Sequence, residues 1–311
     1  MKKIIIFGAG RSSTSLIDYL LSIANDQDLN IVVLDFDEEL AKSKINNHPK
    51  ASAFYIDATN RLERLKFIHD ANLVISMLPA HMHYEVVKDA ISEKVHVITP
   101  SYVTKEIKSL HEDAINNNVL VLNEMGLDPG IDHMSAKKII DEIQENGGEL
   151  TGFESFTGGL VAPESDDNPW NYKFTWNPRN VVLAGQGGAA KFIQEGKYKY
   201  IPYNKLFRRT EIIEIEGYGK FEGYANRDSL SYRSIYGLDD IPTMFRGTLR
   251  KIGFCRAWNV FVQLGVTDDS YIIEGSEDMT NREFFNSFLA YNPHDSVELK
   301  LRHYLGIEQD D

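Results

Sequence analysis

Residues 4–13 read IIIFGAGRSS: four apolar residues, a glycine-alanine-glycine turn, then arginine and two serines. Two lysines precede the run and superficially suggest a secretory leader. The apolar stretch is too short for such a segment and ends in glycines, so it reads as a buried first strand. In the turn, Gly8 permits the sharp bend. Gly10 lets the backbone approach a pyrophosphate lying at the N-terminus of the following helix. Ser13 replaces the third glycine of this fingerprint, which either loosens helix–sheet packing or adds a hydroxyl to the phosphate. A bare GxG is weak evidence, and its context strengthens it. A helix with Leu16, Leu20, Ile23 and Ala24 on one face follows, and Asp35 closes the second apolar run, 25 residues past Gly10. An acid there binds a ribose 2′-hydroxyl and repels a 2′-phosphate. NAD is therefore expected over NADP, with NADP left open because a neighbouring loop could supply a cation.

The same rhythm continues outward. Apolar runs at Ile4–Phe7, Ile31–Leu34, Phe54–Ile56, Leu73–Met77, Val95–Ile98 and Val119–Leu122 alternate with amphipathic stretches, among them Tyr84–Ile91 and Lys105–Asn116. The runs are β-branched and almost free of polar residues, as in strands buried on both faces of a parallel sheet. This β-α-β repetition predicts an α/β, Rossmann-type doubly wound domain over residues 1–125. Residues 126–311 follow a different pattern: a helix over 129–146, aromatic-rich polar loops, strands at Thr210–Ile215 and Lys220–Ala225, and closing amphipathic helices. They read as a second, mixed α/β substrate domain. At the helix start Asp128 is the expected N-cap and Pro129 the first helical residue, with Gly147-Gly148 as the stop. Ile131, Met134, Ile139, Ile140 and Ile143 supply its apolar face.

Bulk properties narrow the function. The chain has 311 residues, 42 % hydrophobic and 25 % charged, and a net charge of −13. No concentrated basic surface argues for nucleic acid, and no apolar stretch approaches the roughly 18–20 residues that cross a bilayer. A single cysteine, Cys255, excludes an internal disulfide framework and fits a cytoplasmic setting. It reads as a small buried side chain. An acidic protein that binds an anionic ligand must do so with placed arginines.

Several motifs emerge at the carboxyl ends of the strands, where ligands bind in open α/β sheets. Asp57, after the third strand, either lines the adenine pocket or is an ordinary loop acid. SMLPAHMHY follows the fourth; its His81 and His83 have H-x-H spacing but no third ligand cluster, so no metal is expected. TPSYVT delivers Ser101 and Tyr102, whose phenol bonds a substrate or caps the sheet. NEMGLDPGIDHM delivers Asp128, for which helix capping and a catalytic role are compatible, since the positive helix end favours a carboxylate. In the second half, Arg227 (ANRDS), Arg246 and Arg250 (FRGTLRK) are candidates for clamping substrate carboxylates two-point fashion.

At these residues the sequence resembles the saccharopine reductase family, the glutamate-forming saccharopine dehydrogenases. The resemblance runs over nearly the whole chain and is carried by ISMLP, TPSYVT, NEMGLDPGIDHM, GGLVAPESDDNPWNYKFTWNPRNV, YANRDS and FRGTLRKIGF. It implies that Gly8, Gly10, Ser12 and Ser13 hold the pyrophosphate, Asp35 and Asp57 the adenosine side, and Leu78 and Pro79 the nicotinamide side. Ser101 with Tyr102, and Leu127 with Asp128, are implied to lie between cofactor and substrate, and Trp176 to approach the cofactor. Arg227 and the Thr248-Leu249-Arg250 stretch are implied to bind substrate carboxylates, and Asp128 or Tyr102 to handle the substrate proton. The resemblance further implies a homodimer, a small amino-acid substrate, and hydride exchange with NAD(P), interconverting saccharopine with glutamate and 2-aminoadipate 6-semialdehyde.

Two departures stand out. Family members are generally longer, returning to the first domain with a further strand and helix, whereas this sequence ends at LRHYLGIEQDD, where their helical part begins. The C-terminal part of the family architecture is thus expected to be missing. Asp35 resembles the NAD-using catabolic type rather than the NADP-using fungal biosynthetic enzymes. Competing readings are a relative acting on another carboxyalkylated amine, such as carboxynorspermidine dehydrogenase, or lysine 6-dehydrogenase. A non-catalytic NAD-binding protein is a third.

Overall fold

A computed structural model describes residues 1–175, 177–186 and 188–307. The chain divides into two compact units, Met1–Ile139 and Ile140–Asp311.

In the first unit, β1 (Lys2–Phe7), α1 (Thr14–Ile23), β2 (Leu29–Asp35), α2 (Glu38–Ile45), β3 (Ala51–Tyr55), α3 (Arg61–Ile68), β4 (Leu73–Ser76), α4 (His83–Ser92), β5 (His96–Ile98), α5 (Lys105–Lys108), α6 (His111–Asn116) and β6 (Val121–Leu122) follow in order. The strands form one sheet of order β3-β2-β1-β4-β5-β6, every neighbouring pair parallel. The unbroken aliphatic runs have a direct cause. Ile4 and Ile6 pack with Ile17 and Leu20 of α1 and Ala41 of α2, while Ile5 and Phe7 pack on the other face with Ile68 of α3 and Val86, Val87 and Ala90 of α4. Both faces are dry, so alternation disappears. The expected helix over Lys105–Asn116 is instead two short helices. Thr104 caps the first, its Oγ1 accepting from Ile107 N at 3.2 Å, and Ser109 turns its hydroxyl onto Glu106 O at 2.6 Å where the break falls.

The helix α7 (Ile131–Glu145) ends where the glycines predict: Gly147 adopts φ +75° and Gly148 N–H bonds Ile143 O at 2.9 Å. Its start and its apolar face differ from expectation. The buried row is Asp132, Ala136 and Ile140, at i, i+4 spacing, while Ile131, Met134, Ile139 and Ile143 are exposed.

The second unit contains β7 (Phe153–Thr157), α8 (Pro178–Val182), β8 (Ala190–Gln194), β9 (Lys197–Ile201), α9 (Tyr203–Leu206), β10 (Thr210–Ile215), β11 (Gly219–Ala225), α10 (Arg233–Tyr236), β12 (Met244–Lys251), α11 (Phe254–Leu264), α12 (Asn281–Asn286) and α13 (Val297–Leu305). Its sheet runs β10-β11-β12-β8-β9, antiparallel throughout, with β7 added parallel to β12. Gly223 on β11 and Gly247 on β12 leave room for the Phe156 ring, which a Cβ at either position would strike. The core here is aromatic: Phe192, Phe207, Tyr224, Phe254 and Trp258 pack with the buried Cys255. No helix of the described residues is long and apolar enough to cross a membrane.

Candidate active site

The chain leaves β1 toward β2 and β3 on one side and returns to β4 on the other, which opens a crevice at the carboxyl ends of β1 and β4. Gly8 makes that passage. Its φ is +101°, and a Cβ there would lie 2.9 Å from Met77 O, so no other residue fits without displacing the chain after β4. A Cβ on Gly10 would meet nothing within 4 Å, leaving its backbone open to a ligand. Asp35, at the end of β2, accepts from Ala9 N at 2.6 Å through one carboxylate oxygen and from Asp37 N at 2.9 Å through the other. Ser13, in the third-glycine position, is buried and donates its hydroxyl to Gly10 O at 2.8 Å; Ser12 is exposed. These residues fit a dinucleotide: a tight glycine turn, an open backbone and an oriented acid at the ribose end.

The loop after β3 is braced from beneath. Asp57 accepts from Thr59 Oγ1 at 2.6 Å and Thr59 N at 2.9 Å, and those bonds hold its carboxyl below the usual range. Arg64, only 2 % exposed, donates to Ala58 O at 2.8 Å and Thr59 O at 3.1 Å. Its Nε and Nη2 each lie 2.8 Å from Asp89 of α4, which also receives Arg61 Nε at 3.0 Å.

After β4 come Leu78, half-buried, and Pro79, exposed. The two histidines diverge: His81 is exposed and His83 is 1 % exposed. His83 Nδ1 lies 2.9 Å from Ser76 Oγ, and its Nε2 lies 2.7 Å from Ser101 Oγ and 3.2 Å from Thr99 Oγ1. Burial, with a smaller contribution from His81, pushes its imidazole down to about 4.

The 101–103 and 124–132 segments are stitched together by Glu124 N to Ser101 O and Val103 N to Glu124 Oε1, both 3.0 Å. Tyr102 O–H donates to Asp128 Oδ1 at 2.8 Å. Asp128 is therefore not the helix cap expected of it, and Pro129 is not the first helical residue. The Asp128–Pro129 peptide is cis, Gly130 has φ +152°, and α7 begins only at Ile131. The acid at the helix entry is Asp132, which accepts from Gly130 N at 2.7 Å. Asp128 and Leu127 are left exposed, the former bonded to Tyr102.

In the second unit Arg250 is 8 % exposed and sits over the rings of Tyr172 (5.0 Å), Phe254 (5.3 Å) and Tyr224 (6.0 Å). Its Nη1 donates to Leu249 O at 2.8 Å, while its buried Nε has no hydrogen-bond partner. Among the described residues no carboxylate pairs with it. Thr248, half-buried, lies opposite Tyr224 on the neighbouring strand, and Leu249 is buried. Tyr172 and Phe254 also line a cavity of about 400 Å³ with Trp170, Trp258 and Phe261. Arg227, beyond β11, is exposed, and buried Arg246 lies 4.0 Å over the Tyr232 ring. Burial, and then the Glu222 carboxylate, raise the Cys255 thiol well above its ordinary value, leaving it protonated. Trp176 lies outside the described residues.

Sequence reasoning passed over Ser76, His83 and Thr99 as a group, and Arg64 with Asp89. The signal for the second pair was partial: Lys88 and Asp89 both stand between Val87 and Ala90 of α4, and the structure shows that Asp89 is the buried one. A charge in that position requires a buried partner.

The glycine turn at the strand-order reversal and the acid closing β2 define a dinucleotide-binding α/β protein. Its family follows from comparison with known proteins. Residues 4–122 match the saccharopine dehydrogenase NADP binding domain, and residues 126–311 match the saccharopine dehydrogenase C-terminal domain. The chain belongs to the saccharopine dehydrogenase family. It is 35 % identical over 306 residues to saccharopine dehydrogenase [NADP(+), L-glutamate-forming] of Saccharomyces cerevisiae, covering 98 % of this chain and 64 % of that one. It is also 35 % identical over 269 residues to the mitochondrial alpha-aminoadipic semialdehyde synthase of Mus musculus, covering 85 % of this chain and 28 % of that one. Apo saccharopine dehydrogenase (L-Glu forming) from Saccharomyces cerevisiae superposes with a TM-score of 0.81 at 31 % identity, over 99 % of this chain and 72 % of that structure. The chain thus spans less than two thirds of the curated relatives' length. The NADP(+) in the yeast name is at odds with the NAD expected from Asp35.

Proposed function

We propose that the chain catalyses hydride exchange between a nicotinamide dinucleotide and saccharopine. The observation that carries the substrate reading is Arg250, a buried guanidinium with an unpartnered Nε and, among the described residues, no carboxylate paired with it. Such a group is suited to a substrate carboxylate, and saccharopine carries three. Thr248 and Arg227 are the neighbouring candidates for the others. A dinucleotide held by the Gly8–Gly10 turn and Asp35 would supply a hydride acceptor for the carbon on the lysine side of the secondary amine, and the substrate would become an imine. Water adds, and the carbinolamine collapses to glutamate and 2-aminoadipate 6-semialdehyde. The amine must lose its proton before the hydride leaves. Asp128, oriented by the Tyr102 hydroxyl, is the acceptor, directly or through a water.

The dinucleotide is NAD in this reading. Both oxygens of Asp35 are held by backbone N–H groups, and Asp37, Glu38 and Glu39 follow after Phe36, so a 2′-phosphate would meet concentrated negative charge. The test is purified protein with saccharopine and either nucleotide. Absorbance at 340 nm should rise with NAD and much less with NADP. No rise and no nucleotide binding by calorimetry overturns the enzyme reading, binding without turnover supports a non-catalytic role, and a preference for NADP overturns the role of Asp35. The reading also carries a cytoplasmic homodimer, tested by sedimentation and cell fractionation.

A further inference from the structure

We propose that His83 is a positioning residue that holds the Ser101 hydroxyl at the carboxyl edge of the first sheet and sets whether that hydroxyl donates or accepts. The inference rests on the reading of that edge as the dinucleotide site.

Three hydroxyls surround one imidazole. Ser76 comes from the end of β4, and Thr99 and Ser101 from the segment that leaves β5; Ser76 and Thr99 are wholly buried and Ser101 is half-buried. Only the Ser101 end of the chain is therefore open to a ligand. Every partner of the ring can both give and take a proton, so the chain runs in either sense. With the proton on Nδ1, His83 donates to Ser76 Oγ and accepts from Ser101 O–H, and Ser101 presents lone pairs outward. With the proton on Nε2, His83 donates to Ser101 Oγ, Ser76 O–H donates to Nδ1, and the Ser101 proton points outward. Either contact of Ser101 can thus be matched by moving one proton along the ring, with no backbone change.

Burial keeps the ring neutral, and a neutral ring is what a two-way relay needs. Its location favours this role over simple packing. An imidazole and two hydroxyls buried beside the aliphatic core bring no stability that a well-packed apolar cluster would not.

The test compares Ser101→Ala, His83→Asn, His83→Gln and the double variant His83→Asn/Ser101→Ala by calorimetric titration with NADH. Asparagine keeps a polar atom near Nδ1 only, and glutamine keeps one near Nε2. Ser101→Ala and His83→Asn should each weaken binding about tenfold, the worth of one hydrogen bond. The double variant should bind no more weakly than either single one, and His83→Gln should recover most of the affinity lost in His83→Asn. Full affinity in Ser101→Ala, losses that multiply in the double variant, or equal losses in the Asn and Gln variants overturn the proposal.

Imidazole ¹⁵N spectra supply a readout that needs no ligand and that reports the protonation of each ring nitrogen and the Ser101 contact directly. At pH 7 His83 should show one protonated and one bare nitrogen, and its Nε2 signal should shift in Ser101→Ala. An imidazolium at pH 7, or an unmoved Nε2 signal, contradicts the relay. Wild-type protein that binds neither NADH nor NADPH refutes the dinucleotide reading of the edge instead, and the proposal for Ser101 as a ligand contact with it.

Discussion

Arg64 in the first unit and Arg250 in the second are both buried, and their surroundings are opposite. Arg64 spends its guanidinium on the Asp89 carboxylate and two loop carbonyls. Arg250 is walled by three aromatic rings, donates once to its neighbour's carbonyl and leaves Nε unpartnered. The general expectation is that buried polar groups are satisfied and buried charges are paired. Arg64 meets it and ties α3, α4 and the Asp57 loop into one piece. Arg250 violates it, and violations of that kind collect where a ligand completes the set. The first arginine is architecture, and the second is, in the function proposed above, a receptor walled by aromatic rings.

The comparison breaks most readily at Arg64. Arg64→Met should destabilise the first unit by about 3 kcal/mol, because among the described residues it leaves buried Asp89 paired with the exposed Arg61 alone. A loss under about 1 kcal/mol in denaturant melts would show that the pair is not structural. His83 offers a second buried basic group, held neutral. An unfolded chain protonates this ring near 6.5, and the folded protein does so only near 4. Its contribution to stability is therefore complete above pH 6.5 and is lost as pH falls toward 4, by about 3 kcal/mol at the limit. His83→Asn should flatten that part of the stability–pH profile, and a parallel profile would contradict the assignment. Arg250→Met should come next, with a change within about 1 kcal/mol in either direction, since the lost cation–π contacts are offset by relief of an unpaired buried charge. A loss as large as that of Arg64 would erase the distinction. Arg227→Ala, on the exposed arginine, should leave stability within about 0.5 kcal/mol. It should still raise the saccharopine KM far more than that of NAD, and equal effects on both would remove Arg227 from the carboxylate site.

What was legible in the sequence follows the range of the interactions involved. Parallel strands covered on both faces show as unbroken β-branched runs, so all six strands of the first sheet could be placed within a few residues. Gly8, Gly10 and Asp35 were readable because the turn and the acid are set by local chain geometry. The error at Asp128 was of another kind. Asp-Pro-Gly before an apolar stretch looks like a cap and a first turn, yet the partner that claims Asp128 is Tyr102, 26 residues earlier. The helix waits until Gly130 has turned the chain. Arg64–Asp89 and the Ser76–His83–Ser101 group depend on side chains brought together from separate elements, and no period along the chain announces such meetings. Arg250 was a candidate from its surroundings in the sequence, but only burial and the bare Nε separate it from the many arginines that sit in solvent.

The central claim is that Arg250 receives a substrate carboxylate, and calorimetric titration of saccharopine into NADH-loaded protein tests it most directly. The account predicts that Arg250→Met weakens saccharopine binding by about 30-fold or more, as expected when one partner of a buried charged pair is removed, while NADH affinity is unchanged. Unaltered saccharopine affinity in a folded Arg250→Met variant would contradict it.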